Sequence, residues 1–376
     1  MFQRVLLETL EGNLNRQKVT LLLGARRVGK TELLQSLYER HKPHALWLNG
    51  EDHNTTTLLE QRTVAHYKKL LEGYRLLIID EAQFIPEIAL MAKLMIDHIK
   101  PLHIILTGSS AFDIANFGNP LVGRTLSYHL YPLAQMEWIQ KENLLETRQN
   151  LEDRLIYGSY PEISQFNGNK EKAAYLRELI NTYLLKDILV FEQIKSSQKL
   201  RDLLVLIAHQ IGSEVSHQEL GIQLGMSKNT VERYLDLLSK VFVIYSRNGY
   251  SKNLRKEVVK GKKWYFVDNG IRNALLHDFR PLAVRNDVGP LWEQYVLAER
   301  LKYHAYQQLD VESYFWRTYD QQEIDLIESE NTKLSAFECK WKQSSSRVPA
   351  AFAKAYPEAT FQVIHQNNYL EWIGCH

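Results

Sequence analysis

The stretch Val19–Thr31, VTLLLGARRVGKT, decides the fold of the first third of the chain. A short apolar run is followed by the pattern G-x-x-x-x-G-K-[ST] and then by the helical stretch TELLQSLYER. In this context the glycines let backbone N–H groups and a helix N-terminus face a phosphate. The stretch therefore predicts a strand, a phosphate-binding loop and a helix, in that order.

The loop is expected to bind ATP through its whole length: Gly24, Ala25, Arg26, Arg27, Val28, Gly29, Lys30 and Thr31. Lys30 is expected to reach the β- and γ-phosphate oxygens, and the Thr31 hydroxyl is expected to bind Mg²⁺. The alternative is a chance glycine-rich turn between a strand and a helix. Because the pattern is complete and lies between a strand and a helix, the sequence favours a nucleotide site.

A second apolar run, Leu76–Asp80, ends in a carboxylate and is followed by Glu81. Ligands of an open parallel sheet gather at the carboxyl ends of its strands. Asp80 is therefore expected to hold Mg²⁺, and Glu81 to orient and deprotonate the attacking water. The alternative is that both acids merely cap the next helix. The next run, HIILTGSS, ends in hydroxyl groups directed at the γ-phosphate or the water: Thr107, Ser109 and Ser110.

Beyond these runs, apolar strands and helical stretches alternate from Val19 to about Leu106, which predicts a parallel sheet covered on both faces. The pattern then changes to helices and later to a helix followed by strands. We therefore predict three domains, with boundaries at residues 1–165, 166–285 and 286–376.

The composition of the chain does not indicate a binding partner. The chain has 376 residues, a net charge of +2 and only two cysteines, Cys339 and Cys375. Because acidic and basic residues nearly balance, the net charge argues neither for nor against a nucleic-acid partner. Sparse cysteine usage favours a reducing compartment. No apolar run approaches the length of a membrane span. The sequence thus predicts a cytoplasmic protein without a membrane partner.

The middle region predicts two helices joined by a turn around Gly225, with Ser227 capping the second helix. Lys228 and Arg233 lie where a recognition helix presents side chains to a major groove. Two strands and a basic loop follow, a combination that is typical of a winged helix. The basic residues of that loop are Lys252, Arg255, Lys256, Lys260, Lys262 and Lys263. Binding of DNA phosphates is one interpretation, and a protein-packing module with a solvated hairpin is the other.

Several quoted stretches resemble the AAA-type ATPases. DEAQ, TGSSAF and GNPLVGRTLSYHLYPLAQMEW are similar to a bacterial and archaeal ATPase family whose C-terminal region has been described as a domain of unknown function. YLLKDILVFEQI, YFVDNGIRNALL and WEQYVLAERL extend the resemblance over nearly the whole chain. The resemblance implies that Arg124 is a finger or sensor for the γ-phosphate, although it also fits a surface residue. Ser109, at the end of the HIILTGSS run, is expected to act as the sensor, and the protein is compatible with an oligomer.

The end of the chain resembles the restriction-endonuclease-like fold, written PD-(D/E)XK. After a helix that carries Glu293 and the run YFWRT, EIDLI carries Asp325 and FECKW carries Glu338 and Lys340, in the order of that fold. In a strand, residues i and i+2 share a face, so Glu338 and Lys340 point together and Cys339 points into the core. The resemblance implies that the acids bind Mg²⁺ beside Lys340. The first strand acid lies in Glu-Ile-Asp, whereas the family pattern has Pro-Asp at this place. Proteins with this fold also bind DNA ends or partner proteins without cleaving DNA.

The expected architecture is an AAA-like P-loop NTPase domain with a parallel α/β sheet, then a helical and winged-helix domain, then a restriction-endonuclease-like α/β domain. The expected function is ATP hydrolysis coupled to a bound partner, with DNA favoured. Two alternatives stay open: an ATP-dependent signalling or scaffold switch that binds protein partners without cleavage, and an ATP-gated, Mg²⁺-dependent DNA nuclease.

Overall fold

The computed structural model describes residues 2–108, 120–184, 197–251 and 261–375. The chain divides into two compact units, Met1–Pro132 and Leu133–His376. The first unit is built on a five-stranded sheet and the second on a seven-stranded sheet.

All strands of the first sheet are parallel, and their spatial order is β2-β3-β4-β1-β5. The strands are β1 (Val19–Leu23), β2 (Ala45–Asn49), β3 (Leu76–Asp80), β4 (His103–Gly108) and β5 (Thr125–His129). Every residue of β1, β3 and β4 is buried, which explains their continuous apolar sequence. The predicted parallel α/β sheet of the N-terminal region is confirmed.

Five helices accompany this sheet in the described part of the first unit: α1 (Leu6–Gly12), α2 (Lys30–His41), α3 (His53–Glu60), α4 (Val64–Leu70) and α5 (Ile88–His98). Helix α2 starts directly after Gly29, and its Leu33, Leu34 and Leu37 are buried. This spacing of three to four residues gives the helix a single apolar face. The helix is therefore anchored along its length, and its first turn lies at the carboxyl end of β1.

The second unit begins with helices. Its described helices are α6 (Gln135–Trp138), α7 (Leu144–Gln149), α8 (Leu151–Tyr157), α9 (Asn169–Leu179), α10 (Ser197–His209), α11 (His217–Leu224), α12 (Lys228–Lys240), α13 (Asn269–Leu275), α14 (Val288–Gln307), α15 (Ala350–Ala355) and α16 (Tyr369–Trp372). None of the helices in the described ranges is long and apolar enough to cross a membrane.

Helices α11 and α12 form the helix pair that the sequence predicts. Gly225 ends α11 in the left-handed conformation, with φ 59°, where a residue without a Cβ is favoured. The Ser227 hydroxyl caps α12 by accepting the N–H of Thr230 at 3.1 Å. Val231 and Leu235 are fully buried. The opposite face of α12 is therefore turned to solvent.

The second sheet has the order β12-β11-β10-β9-β7-β8-β6. Its strands are β6 (Glu214–Val215), β7 (Ile244–Gly249), β8 (Lys262–Phe266), β9 (Glu312–Arg317), β10 (Glu323–Glu330), β11 (Lys333–Cys339) and β12 (Thr360–Ile364). Asn248 of β7 pairs in parallel with Tyr314 of β9. One sheet thus runs across the predicted boundary between residues 285 and 286, and the three-domain division stays a prediction.

Arg300 and Glu328 form a buried ion pair between α14 and β10. The guanidinium donates Nε to Oε1 at 2.8 Å and Nη2 to Oε2 at 2.7 Å. Burial opposes ionisation of the carboxyl, but the hydrogen bonds from Arg300 and from His304 outweigh it and lower the pKa of Glu328 to about 2. A carboxyl that is more acidic in the folded state stabilises the fold above its unfolded-state pKa and loses that contribution as the pH falls.

We therefore expect acid to weaken the second unit through Glu328. Its contribution of about 3 kcal/mol is present above the ordinary pKa of 4.5 and disappears as the pH falls towards about 2. In urea denaturation, the free energy of unfolding should fall more steeply between about pH 6 and about pH 3 in the wild type than in Glu328→Gln. Glu330→Gln, an exposed position on the same strand, is the control. Equal slopes in wild type and Glu328→Gln would contradict this assignment.

Candidate functional site

The loop between β1 and α2 is shaped by two glycines. Gly24 follows the last residue of β1, and a Cβ there would lie 2.2 Å from the carbonyl oxygen of Leu130. Gly29 precedes α2 with φ 94°, a conformation that side chains disfavour. Both positions therefore require glycine, and the loop between them curls over the first turn of α2.

Lys30 is held inside this loop. Its side chain is buried, and Nζ donates to the carbonyl oxygens of Gly24 at 2.8 Å and Ala25 at 3.1 Å. The ammonium therefore lies beside the backbone that the sequence assigns to phosphates. An ammonium group has three rotatable donors, so its position is compatible with a phosphate ligand.

Asp80 connects three elements at the carboxyl edge of the sheet. Its Oδ2 accepts the Thr31 hydroxyl from α2 at 2.8 Å, and its Oδ1 accepts the Thr107 hydroxyl from β4 at 2.5 Å. The sequence predicts that the Thr107 hydroxyl reaches the γ-phosphate or the water. In the structure this hydroxyl donates to Asp80 instead. Thr107 also accepts the backbone N–H of Glu81 at 2.9 Å. These contacts fix the orientation of the carboxylate and of the residue that follows it.

Glu81 leaves the strand in the left-handed conformation, with φ 49°, and makes no side-chain cap to the short helix after it. Its Oε2 accepts the Gln83 side-chain amide at 2.5 Å. Asp80 is likewise bound to hydroxyl groups. The alternative interpretation, in which the two acids merely cap the next helix, does not describe these side chains.

Thr31 and Asp80 have the chemistry that Mg²⁺ requires. A hydroxyl and a carboxylate, 2.8 Å apart, are hard oxygen ligands, and Mg²⁺ is usually held by few protein oxygens together with nucleotide phosphates and water. The residues therefore fit the ion that P-loop proteins use.

Arg124 lies at the other end of this sheet. Its carbonyl oxygen accepts the N–H of Val19, the first residue of β1, at 2.8 Å, whereas the loop follows the last residue of β1. A strand of this length spans about 16 Å. Arg124 Nε donates to Asp97 Oδ1 at 2.7 Å. Arg124 is therefore remote from the loop of its own chain, and Ser109 and Ser110 lie outside the described residues.

Arg4 supports the loop, and the sequence patterns do not indicate it. The buried guanidinium donates Nη1 to the carbonyl of Val28 at 2.5 Å and Nη2 to the carbonyl of Tyr131 at 2.7 Å. It ties the loop to the segment after β5. A single arginine before a helix has no sequence signature, so only tertiary structure indicates this role.

In the second unit, the four residues assigned to a nuclease-like site lie on three elements. Glu293 is on α14, Asp325 is on β10, and Glu338 and Lys340 belong to β11 and the residue after it. Cys339 is buried, as its alternation in the strand predicts. Lys340 Nζ lies 2.6 Å from Glu338 Oε1, which agrees with the shared face.

The acids of this cluster influence one another electrostatically. Burial raises the pKa of Asp325, and the charges of Glu293 and Glu338 raise it further. Burial also raises the pKa of Glu293, and the ammonium of Lys263 is the largest opposing influence. Across the described ranges, however, no group of three or more His, Cys, Asp or Glu side chains is arranged to hold a metal ion. The three acids are close enough to act on one another's charge, but they do not by themselves form a three-ligand metal group.

The basic residues of the middle region differ in their exposure to solvent. Lys228 and Arg233 are exposed on α12, and Lys228 Nζ lies 3.6 Å from Glu232 Oε1. Lys263, which the sequence assigns to a basic loop, is fully buried, because its side chain extends from β8 to an ion pair with Glu323 of β10. Lys252, Arg255, Lys256 and Lys260 lie outside the described residues.

The first unit has the fold of a P-loop ATPase. This class of protein is defined by the strand order, the loop around Lys30 and the carboxylates at the end of β3. The family model of an AAA domain matches residues 16–139. Two further models, both described as domains of unknown function (DUF8612 and DUF4143), match residues 148–281 and 288–373.

Relatives and a solved structure extend the similarity. An uncharacterised protein of Mycobacterium tuberculosis is 28% identical over 333 residues, which is 87% of this chain and 71% of the relative. An uncharacterised protein of Methanocaldococcus jannaschii is 22% identical over 285 residues, 70% of this chain and 64% of the relative. A Walker-type ATPase of Pyrococcus abyssi superposes with a TM-score of 0.52 at 17% identity, over 73% of this chain and 96% of that chain. At this identity the superposition supports the fold alone.

Proposed function

We propose that the first unit binds ATP with Mg²⁺ and hydrolyses it. The observation that carries this proposal is the network in which Thr31 and Thr107 both donate to Asp80, while Thr107 also holds the backbone of Glu81. Such a network presents a hydroxyl, a carboxylate and a second, differently oriented carboxylate at the carboxyl edge of a parallel sheet. These are the groups that nucleotide hydrolysis needs.

Each residue has a separate task in this proposal. The backbone of Gly24–Thr31 and the Lys30 ammonium bind and orient the phosphates, and Thr31 and Asp80 hold the ion. When bound, Mg²⁺ supplies neutralisation of charge on the β- and γ-phosphates. Glu81 accepts the proton of the water whose oxygen attacks the γ-phosphorus, as the bond to the β-phosphate oxygen breaks. Ser109 is proposed to sense the γ-phosphate.

For Arg124 we propose a role across a subunit interface. Because Arg124 lies at the edge opposite the loop of its own chain, a role at the γ-phosphate requires the nucleotide of another copy. An arginine supplied in trans stabilises charge in the transition state. In this proposal the ion pair with Asp97 opens when the second copy binds.

We propose that ATP turnover is coupled to DNA. Helices α11 and α12 with β7 and β8 are proposed to form a winged helix, and the 286–376 region a nuclease-like fold. The exposed basic residues at the start of α12, Lys228 and Arg233, support contact with phosphates. Lys252, Arg255 and Lys256, which lie outside the described residues, are proposed as further phosphate contacts.

DNA is expected to stimulate phosphate release, and the double variant Lys228→Ala/Arg233→Ala is expected to bind DNA more weakly. Each lost phosphate contact lowers the slope of log affinity against log salt by about 1. The slope should thus fall by about 2 in the double variant, measured by fluorescence anisotropy of labelled duplex DNA. Lys333→Ala/Lys354→Ala, which removes two exposed lysines elsewhere in the same unit, is the matched control.

A scaffold switch is the second candidate function. The Lys228–Glu232 ion pair on α12 supports it, because an internally paired lysine is less available to phosphates. A wild-type rate that DNA leaves unchanged, with identical salt slopes in both double variants, would favour the switch and remove the DNA-coupled proposal.

A further inference from the structure

The acids of the nuclease-like region are already bound by donors of their own unit. Glu293 Oε1 accepts the hydroxyl of Tyr265 at 2.8 Å. Asp325 Oδ2 accepts the backbone N–H of Cys339 at 2.7 Å. A divalent metal would have to share these oxygens with donors that the fold holds in place.

The third acid is paired as well. Glu338 Oε1 and Lys340 Nζ lie 2.6 Å apart, and the side chain of Lys340 is 42% exposed. In a cleaving site this lysine would face the attacking water and the scissile phosphate. Here the Lys340 ammonium lies against the Glu338 carboxylate, so the two charged residues of FECKW form an ion pair with each other.

A buried cation lies among these acids. Lys263 of β8 is fully buried, and its Nζ forms an ion pair with Oε1 of Glu323, the first residue of β10. The same ammonium lies 5.1 Å from the ring centroid of Phe315 in β9. A buried ammonium requires compensating negative charge. The Lys263 ammonium is also the largest influence that opposes the raised pKa of Glu293, whose Oε1 accepts the hydroxyl of Tyr265 two residues along β8.

We infer that the ammonium of Lys263 is the resident cation of the acidic cluster formed by Glu293, Glu323 and Asp325. The cluster joins β8 to β10 and α14, and it contains Glu293 and Asp325, two of the acids that the resemblance to the nuclease-like fold assigns to a divalent metal. This unit therefore holds its sheet together with an internal cation and does not cleave phosphodiesters. The inference concerns the second unit alone and does not depend on ATP hydrolysis by the first.

Removing the internal cation should expose a metal site. The full-length chain, stripped of nucleotide, is titrated with Mn²⁺ while free Mn²⁺ is followed by electron paramagnetic resonance. The Lys263→Met variant is expected to bind one Mn²⁺ at least about tenfold more tightly than the wild type, because a buried positive charge no longer repels it. The added substitution Asp325→Asn should remove that site. Lys262→Met, at the adjacent exposed position, should behave as the wild type.

Two measurements on the chain that retains Lys263 keep the inference falsifiable if Lys263→Met fails to fold. Wild type and Asp325→Asn should give the same Mn²⁺ titration, and the wild type should not nick supercoiled plasmid DNA with Mg²⁺ or Mn²⁺. Stoichiometric Mn²⁺ binding that Asp325→Asn abolishes, or nicking that Lys340→Ala abolishes, would overturn the inference. A folded Lys263→Met variant without a new Mn²⁺ site would overturn it too.

Discussion

Replacing Lys30 by methionine is expected to weaken ATP binding by about 100-fold or more, because each charge-assisted hydrogen bond to a phosphate contributes about 1.5–3 kcal/mol. Methionine keeps the buried aliphatic stem but removes the ammonium that now donates to Gly24 and Ala25. The binding constant is measured by titration with a fluorescent ATP analogue in the presence of Mg²⁺.

The control for this substitution is Lys68→Met, at an exposed position near the end of α4. It removes the same charge from the same unit without touching the loop. Thermal unfolding of both variants establishes that the fold is kept. Tight ATP binding by a folded Lys30→Met variant would mean that the nucleotide does not bind at this loop.

The substitution Glu81→Gln is expected to separate binding from turnover. Loss of a general base lowers rates by about 10²–10⁴-fold, whereas the amide keeps the size of the side chain and an oxygen that can accept from Gln83. Phosphate release should therefore fall at least about 100-fold, while ATP affinity stays close to that of the wild type. A burst experiment at saturating Mg-ATP measures both the chemical step and later turnovers.

Glu72→Gln, an exposed carboxylate in the turn before β3, is the matched control and should hydrolyse ATP at the wild-type rate. A Glu81→Gln variant with unchanged turnover would exclude this residue as the base. Loss of ATP binding together with turnover would instead assign Glu81 a part in holding the nucleotide.

Local sequence patterns predict the strands, the loop and the helix around Lys30 well, because these parts are contiguous in sequence. The loop residues lie between one strand and one helix, and Asp80 and Glu81 follow directly after a buried run. Periodicity and glycine placement therefore report the local geometry. What they miss are contacts over long sequence distances. Arg4 reaches Val28 and Tyr131, and nothing in its own neighbourhood predicts that.

The second unit illustrates the same limit. Its strands are recognisable one by one, but the parallel pairing of β7 with β9 joins segments between which β8, α13 and α14 lie in the described part of the chain. Lys263 looks like one more residue of a basic hairpin, because a sequence pattern does not distinguish a solvated lysine from one that faces a buried acid. Only the folded sheet brings Lys263 to Glu323. With that contact, the nearby acids are interpreted as partners of a buried lysine and not as ligands of a metal.

The most direct test of ATP hydrolysis by the first unit is phosphate release by the full chain at saturating Mg-ATP, with wild type and Glu81→Gln side by side. We expect continuous turnover by the wild type and a rate at least about 100-fold lower in the variant. Equal rates in the two proteins, or a wild-type rate no higher than that of Lys30→Met, would contradict the assignment of this site.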